Sequence, residues 1–256
     1  MEGQFAQLLP AVIYQVMFIF CRVGTAFMVM TGFGEAYVPA RARLALGMLI
    51  SVILVGQVGG DVPALPTDPA SLLLLLGGEM VVGAYIGMVT QILLSTLTTA
   101  GTIIAFQAGL ANAFLFNPAT AQQSAIPAAF LGAIGLTMIF MTDLHHLMLA
   151  ALVESYGVFV PGQLAPVEDF SGILPRLVSG SFFVAIQLSA PYIFAGTLFY
   201  VGLGILARLM PQVQIFFIAV PIQVLLGFAI MLATLSITMF WFLEYFEENI
   251  LQHLMR

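Results

Sequence analysis

The chain has 256 residues, of which 61% are hydrophobic and only 7% charged, and its mean hydropathy of +1.10 lies outside the range of soluble globular domains. It contains no lysine: the cations are Arg22, Arg41, Arg43, Arg176, Arg208 and Arg256 against twelve carboxylates, a formal charge of −6, which argues against nucleic acid as a partner. The composition is that of an all-α, membrane-type chain whose backbone polar groups are satisfied inside helices.

Six apolar segments are expected to be helical, several longer than the ~20 residues a span requires. The first runs from Leu8 to Met30 and carries Arg22 and Cys21. Met1-Glu2-Gly3-Gln4 has no basic character and the run has no A-x-A-like end, so it is read as a retained helix, not a signal peptide. A lone cysteine in such a run is expected to be a small buried hydrophobe. The second segment, Leu44 to Val58, looks short for a crossing. The third, Ala70 to Leu97, is rich in glycine, and Gly83 and Gly87 form a G-x-x-x-G pattern that lets a neighbouring backbone approach closely. Glu79 stands on this segment, and Glu79 and Arg22 are both ionisable at a depth where such groups usually find a partner. They are expected to pair with each other or with another subunit.

Between the third and fourth segments lies an uncharged stretch, Gln107 to Gln123, that alternates glycine, asparagine and phenylalanine where an ordinary turn would be polar. It suits a narrow passage that must be filled yet movable. The fourth segment, Ala125 to Met141, is interrupted by Thr142-Asp143-Leu144-His145-His146 before apolar character resumes to Val153, a pattern of bent or broken helices. His145, His146 and Glu154 raise the question of a metal. Adjacent histidines on a helix point about 100° apart, and no H-E-x-x-H motif completes a ligand set, so no metal is expected. There is likewise no G-x-S-x-G, P-loop or G-x-G-x-x-G pattern, and neither a cofactor nor an enzyme activity is expected.

The fifth and sixth segments are Gly180 to Ala207 and Val213 to Leu243. Connections are marked by Pro39, by Gly59-Gly60-Asp61 through Pro69, by Pro161 to Asp169, and by Pro211. Arg41, Arg43 and Arg208 fall in odd-numbered loops, which places those loops in the cytoplasm and both termini outside.

Taken in order, these marks resemble a known family. They are Arg22, Val38-Pro39-Ala40-Arg41-Ala42-Arg43-Leu44, Gly83-x-x-x-Gly87, and Ala100-Gly101 leading into Gln107-Ala108-Gly109-Leu110. Pro118, Asp143-Leu144-His145, Leu203 through Gln212 with Arg208 and Pro211, and Pro221 complete the series. The chain resembles the FliR family of flagellar type III secretion export-gate proteins, related to the injectisome SctT-type proteins, over nearly its whole length. It departs at Leu144, where a glycine is usual, at Tyr200, where asparagine is common, and at Ala40 and Arg43, where lysines are frequent.

The resemblance implies a protein that is not an enzyme and looks like a fusion of its two partners, FliP and FliQ. Residues 1–179 would correspond to FliP, and residues 180–256 to the FliQ helical hairpin. One copy would join several FliP-like and FliQ-like subunits, with an FlhB-like subunit, in a helical hetero-oligomer. That assembly belongs to the flagellar basal body of the bacterial inner membrane, raised toward the periplasmic side, so apolar helices need not contact lipid. It exports unfolded flagellar proteins. The family's pore plug corresponds to about 105–122, with Phe106, Gln107, Gly109, Leu110, Phe114, Phe116 and Pro118 as the closure. The turn with Arg208, Pro211 and Gln212 would face another export component. A self-contained ion or small-molecule transporter is the competing class; it expects inverted repeats and a midplane site with several ionisable residues.

Overall fold

The computed structural model describes residues 2–110, 125–163, 167–210 and 215–255, with the side chains of 2–9 and 215–218 left aside. The described residues form seven helices and no strand. They are α1 (Glu2–Val29), α2 (Ala40–Val58), α3 (Pro69–Gln107), α4 (Ile126–Met141), α5 (Leu144–Val158), α6 (Val167–Leu209) and α7 (Ile215–Leu254). Five are long and apolar enough to cross a membrane, six if α4 and α5 are one broken span.

Local chemistry explains where these helices begin, and it corrects several expected limits. α2 starts at Ala40 rather than Leu44, because Pro39 precedes its first turn and Arg43 turns its guanidinium back onto the preceding loop. That side chain donates to the carbonyls of Gly34, Glu35 and Val38 at 2.9 to 3.3 Å. α3 opens on Asp68-Pro69. The Asp68 carboxylate accepts from the Ser71 amide at 3.2 Å, and a proline in the first turn has no amide to leave unsatisfied. α6 begins at Val167, well before Gly180, and Glu168 and Asp169 sit in its first turn, where carboxylates meet the positive end of the helix dipole. Residues 167–169, read from the sequence as loop, are therefore the start of a 43-residue helix.

The fourth apolar segment is broken as its interruption predicts: α4 and α5 are bent by 74°. The break turns on Asp143, whose φ of 60° is left-handed, a conformation that aspartate tolerates better than most residues.

The chain forms two compact units. The first comprises Met1–Leu93, Thr142–Leu177 and Glu247–Arg256. Its core joins Phe18, Ile19, Val23 and Phe27 of α1 to Tyr85, Ile86 and Val89 of α3 and to Met148 and Leu152 of α5, all buried. α1 packs on α2 and crosses α3 at the small-residue face. A Cβ on Gly83 would strike the Arg22 carbonyl and the Thr25 hydroxyl, and one on Gly87 would lie 2.6 Å from Val29 Cβ. Phe170 stacks on Tyr85 with ring centroids 4.0 Å apart, and Phe159 meets both edge-on. Cys21 is only half-buried, more exposed than the small buried hydrophobe the sequence suggested.

The second unit comprises Leu94–Met141 and Val178–Phe246. Here the end of α3 packs with α4, α6 and α7 through Leu97, Ala100, Ile104, Leu131, Leu188 and Phe242. Gly101 lies against the Ala128 backbone and Gly135 against Leu97, so α3 and α4 approach to near backbone contact. Only 11% of the most apolar window of α6, and of α7, is buried. Phe182, Phe183, Phe194, Leu225, Leu232 and Phe240 lie open on these two helices.

Candidate functional site: a terminated helix and a buried ion pair

The first site is the C-terminal end of α3. Helix α3 stops because Gly109 adopts φ 71°, the left-handed residue that commonly closes a helix and that costs glycine nothing. The Ala108 amide still donates to Ile104 O at 2.8 Å, and the Gly109 amide to Phe106 O at 3.3 Å. Among the described residues the Gln107 carbonyl then accepts no backbone amide of its own helix, as the last carbonyls of a helix commonly do not. Gln223 of α7 supplies the missing donor: its Nε2 donates to Gln107 O at 2.8 Å, and its second hydrogen goes to the Tyr200 hydroxyl of α6 at 2.9 Å.

Two glycines allow this approach. A Cβ on Gly196 would strike the Gln107 side chain, and one on Gly227 would lie 2.5 Å from Ala108 Cβ. Gly109 itself has room only up to Gln223, whose Oε1 lies 3.0 Å from where its Cβ would be. A cavity of about 10 Å³, lined by Gln107, Tyr192, Gly196, Phe199, Gln223 and Gly227, adjoins the contact.

The residues expected to form a plug are thus partly in view. Phe106 is 64% exposed on the last turn of α3, Gln107 and Gly109 are held as described, and Leu110 packs on Ala105, Ala125 and Ala128. Phe114, Phe116 and Pro118 lie outside the described residues, as do Pro211 and Gln212. Arg208 occupies the last turn of α6, with its side chain exposed.

The second site is in the first unit, where Arg22 and Glu79 meet. Arg22 Nε donates to Glu79 Oε2 at 2.6 Å, and the two side chains are 1% and 3% exposed. Nη1 donates to the Ser155 carbonyl at 3.1 Å and Nη2 to the Phe159 carbonyl at 2.9 Å. The guanidinium also lies 4.0 Å over the Tyr156 ring, a favourable position for a cation. Arg22 therefore does two things: it neutralises a carboxylate on α3, and it satisfies carbonyls at the C-terminal end of α5, where the helix dipole favours positive charge. A third helix end is closed the same way, as Gln15 of α1 donates to the Gly59 carbonyl beyond α2 at 2.9 Å.

Asp143, His145 and His146 also come together, with ligand atoms all within 4.8 Å. His146 Nδ1 lies 3.5 Å from the Asp143 carboxylate, and both side chains are over two-thirds exposed. The trio stands at the N-terminus of α5, where the helix dipole opposes a cation.

Sequence reasoning singled out Arg22, Glu79, Gly83, Gly87 and Gly109, named Arg43 and Tyr200 without their contacts, and missed Gln15 and Gln223. The available signal for Gln223 was its polarity, since an amide inside an otherwise apolar run needs a partner.

Similarity to known proteins extends over both sites. A family model described as bacterial export proteins, family 1, matches residues 13–249. The chain is similar to the flagellar biosynthetic protein FliR of Caulobacter vibrioides, 38% identical over 236 residues that cover 92% of this chain and 94% of the relative. It is similar to the FliR of Bacillus subtilis at 27% identity, covering 86% and 85% of the two chains. It is also similar to the Yop proteins translocation protein T of Yersinia pestis, 30% identical over 163 residues, which cover 63% and 62%. With the match running from residue 13 to residue 249, a range that spans the positions of both sites, the chain belongs to family 1 of the bacterial export proteins.

Proposed function

We propose that this chain is a core subunit of a flagellar type III protein export gate, where it helps to form and to plug the channel through which unfolded flagellar proteins leave the cell. The observation that carries the reading is the similarity to a flagellar FliR over nearly the full length of both chains. The role is structural, with energy supplied by other components. The partners would be FliP-like and FliQ-like subunits and an FlhB-like subunit. Residues 1–179 would play the FliP-like part, and 180–256 the FliQ-like hairpin.

Surface chemistry supports an assembled state. α6 and α7 present phenylalanine and leucine along most of their length, more apolar surface than a lone soluble chain tolerates. Helix length supports a location that is only partly lipid. At ~1.5 Å per residue the 43 residues of α6 span roughly 65 Å, about twice the ~30 Å hydrocarbon core. Such a helix suits a basal-body assembly at the inner membrane that rises toward the periplasm. The deep ion pair argues against a self-contained transporter, because Arg22 and Glu79 are spent on each other and on helix ends.

The plug would consist of Phe106, Leu110, Phe114 and Phe116, with Gln107, Gly109 and Pro118, sealing a narrow passage by excluding water. Deleting residues 109–116 should leave the complex assembled and make the membrane leak ions. Native mass spectrometry gives the recovery, and conductance gives the leak. An intact complex that stays tight to ions would refute the plug; a lost complex would make these residues an interface.

A further inference from the structure

Gln223 is a buried amide, 4% exposed, in the apolar first half of α7, and both of its N–H groups are committed. One reaches the Gln107 carbonyl on α3, the other the Tyr200 hydroxyl on α6. The amide can take only one orientation here: turned over, its oxygen would face a carbonyl oxygen and the bond to Gln107 would be lost. Only a side chain with two donors on one nitrogen, at this length, serves both partners. Its target matters as much. The Gln107 carbonyl is where the ladder of α3 runs out, two residues before the left-handed Gly109, and a lost donor there would strip a part-buried acceptor of its bond to α7.

We infer that Gln223 is a positioning residue for the closure proposed above: by binding the Gln107 carbonyl it fixes the register at which α3 ends, and hence the placement of Phe106, Gly109 and Leu110. Tyr200 holds the amide in that orientation, so α6 and α7 together clamp the end of α3. This inference rests on the plug reading for its functional consequence, but the clamp itself is a matter of hydrogen bonding within this chain. Gln223→Met keeps the shape and removes both donors. Gln223→Glu keeps the shape and sets a carboxylate against the carbonyl. Tyr200→Phe removes only the support.

The test uses the full chain assembled with its FliP-like and FliQ-like partners, and measures amide hydrogen exchange over residues 104–110 beside ion conductance. In Gln223→Met, exchange at Ala108 and Gly109 should rise about fivefold or more, while residues 95–102 of α3 stay protected and complex recovery is unchanged. Gln223→Glu should exceed that rise, Tyr200→Phe should fall short of it, and ion leak should follow the same order. Unchanged exchange at 108–109 would overturn the inference, as would a rise spread evenly along α3, which marks general loosening. A local rise without leak, when deletion of 109–116 does leak, would also overturn it, because closure would then not depend on the clamp. A local rise with neither variant nor deletion leaking would uphold the clamp and count against the plug.

Discussion

Replacing Arg22 with methionine should be far more damaging than replacing Arg22 and Glu79 together. The single change leaves the Glu79 carboxylate, 3% exposed, with no cation, and strips donors from the Ser155 and Phe159 carbonyls. Breaking a buried ion pair from one side costs about 3–5 kcal/mol because the remaining charge is uncompensated. Ser155 O still accepts from the Phe159 amide at 2.8 Å, so the exposed loss falls mainly on Glu79 and on Phe159 O. Glu79→Met should cost a similar amount by stranding the guanidinium. In the double variant neither charge remains, and a methionine at position 22 can lie against the Tyr156 ring that the guanidinium now covers. Apolar replacement of a whole buried pair is often neutral, or stabilising by about 1–4 kcal/mol, relative to the intact pair. With single losses of about 3–5 kcal/mol each and a near-neutral double, the double-mutant cycle should show a coupling of about 6 kcal/mol or more. Equilibrium unfolding of the detergent-solubilised protein in a denaturing-detergent titration would give the four free energies. Additive single effects would refute the reasoning, since two residues bonded at 2.6 Å cannot be energetically independent if the pair stabilises the fold.

Gly83→Leu should prevent α1 and α3 from crossing, since even a Cβ there strikes the Arg22 carbonyl; a drop in melting temperature of the purified protein checks it, and a normal melt would mean the helices can separate without cost. Phe106→Ala should leave the stability of the chain within about 0.5 kcal/mol, as expected for an exposed side chain, yet raise ion leak through the assembled gate; a change in stability with no leak would reverse that assignment. A photo-crosslinker at Gln212 should capture another export component if the Arg208 turn is a docking point, and capture of lipid alone would reduce Arg208 to an orientation signal.

The existence of the apolar helices and the break after Met141 were legible because both depend on local composition. Their limits were not. Val167 to Ser179 carries Glu168, Asp169 and Arg176, which read as loop by hydropathy, while in the structure the two acids stabilise the first turn of α6. Arg41 and Arg43 shortened the apparent α2 for the same reason. Which faces are buried was also hidden: α3 is apolar all round, so no stripe marks the side that meets α1. Gly83 and Gly87 were visible as a pattern, but the partner backbone they touch was not. The Arg22 and Glu79 pair joins positions 57 apart, and one sequence contains nothing that distinguishes that pairing from a bond to a neighbour. Gln223 went unremarked, and Tyr200 was noted only as a departure from the family pattern, because their meaning lies in a carbonyl, and backbone acceptors leave no trace in composition.

The way Arg22 closes the end of α5 has a consequence for synthesis. Arg22 leaves the ribosome early, but its carboxylate partner follows 57 residues later and its carbonyl partner at Ser155 133 residues later. At ~5–20 residues per second these intervals are roughly 3–11 s and 7–27 s. Through that time α1 carries an unmatched guanidinium in an apolar segment, which insertion scales penalise by about 2.5–3.5 kcal/mol at the centre of a bilayer. The nascent α1 is therefore held back from settled burial until α3 emerges, and its final seating waits for α5. Chain order thus imposes a clock: the earliest helix to be made is among the last to be locked, and a ribosome stalled before residue 155 displays a first helix that is still free to be withdrawn.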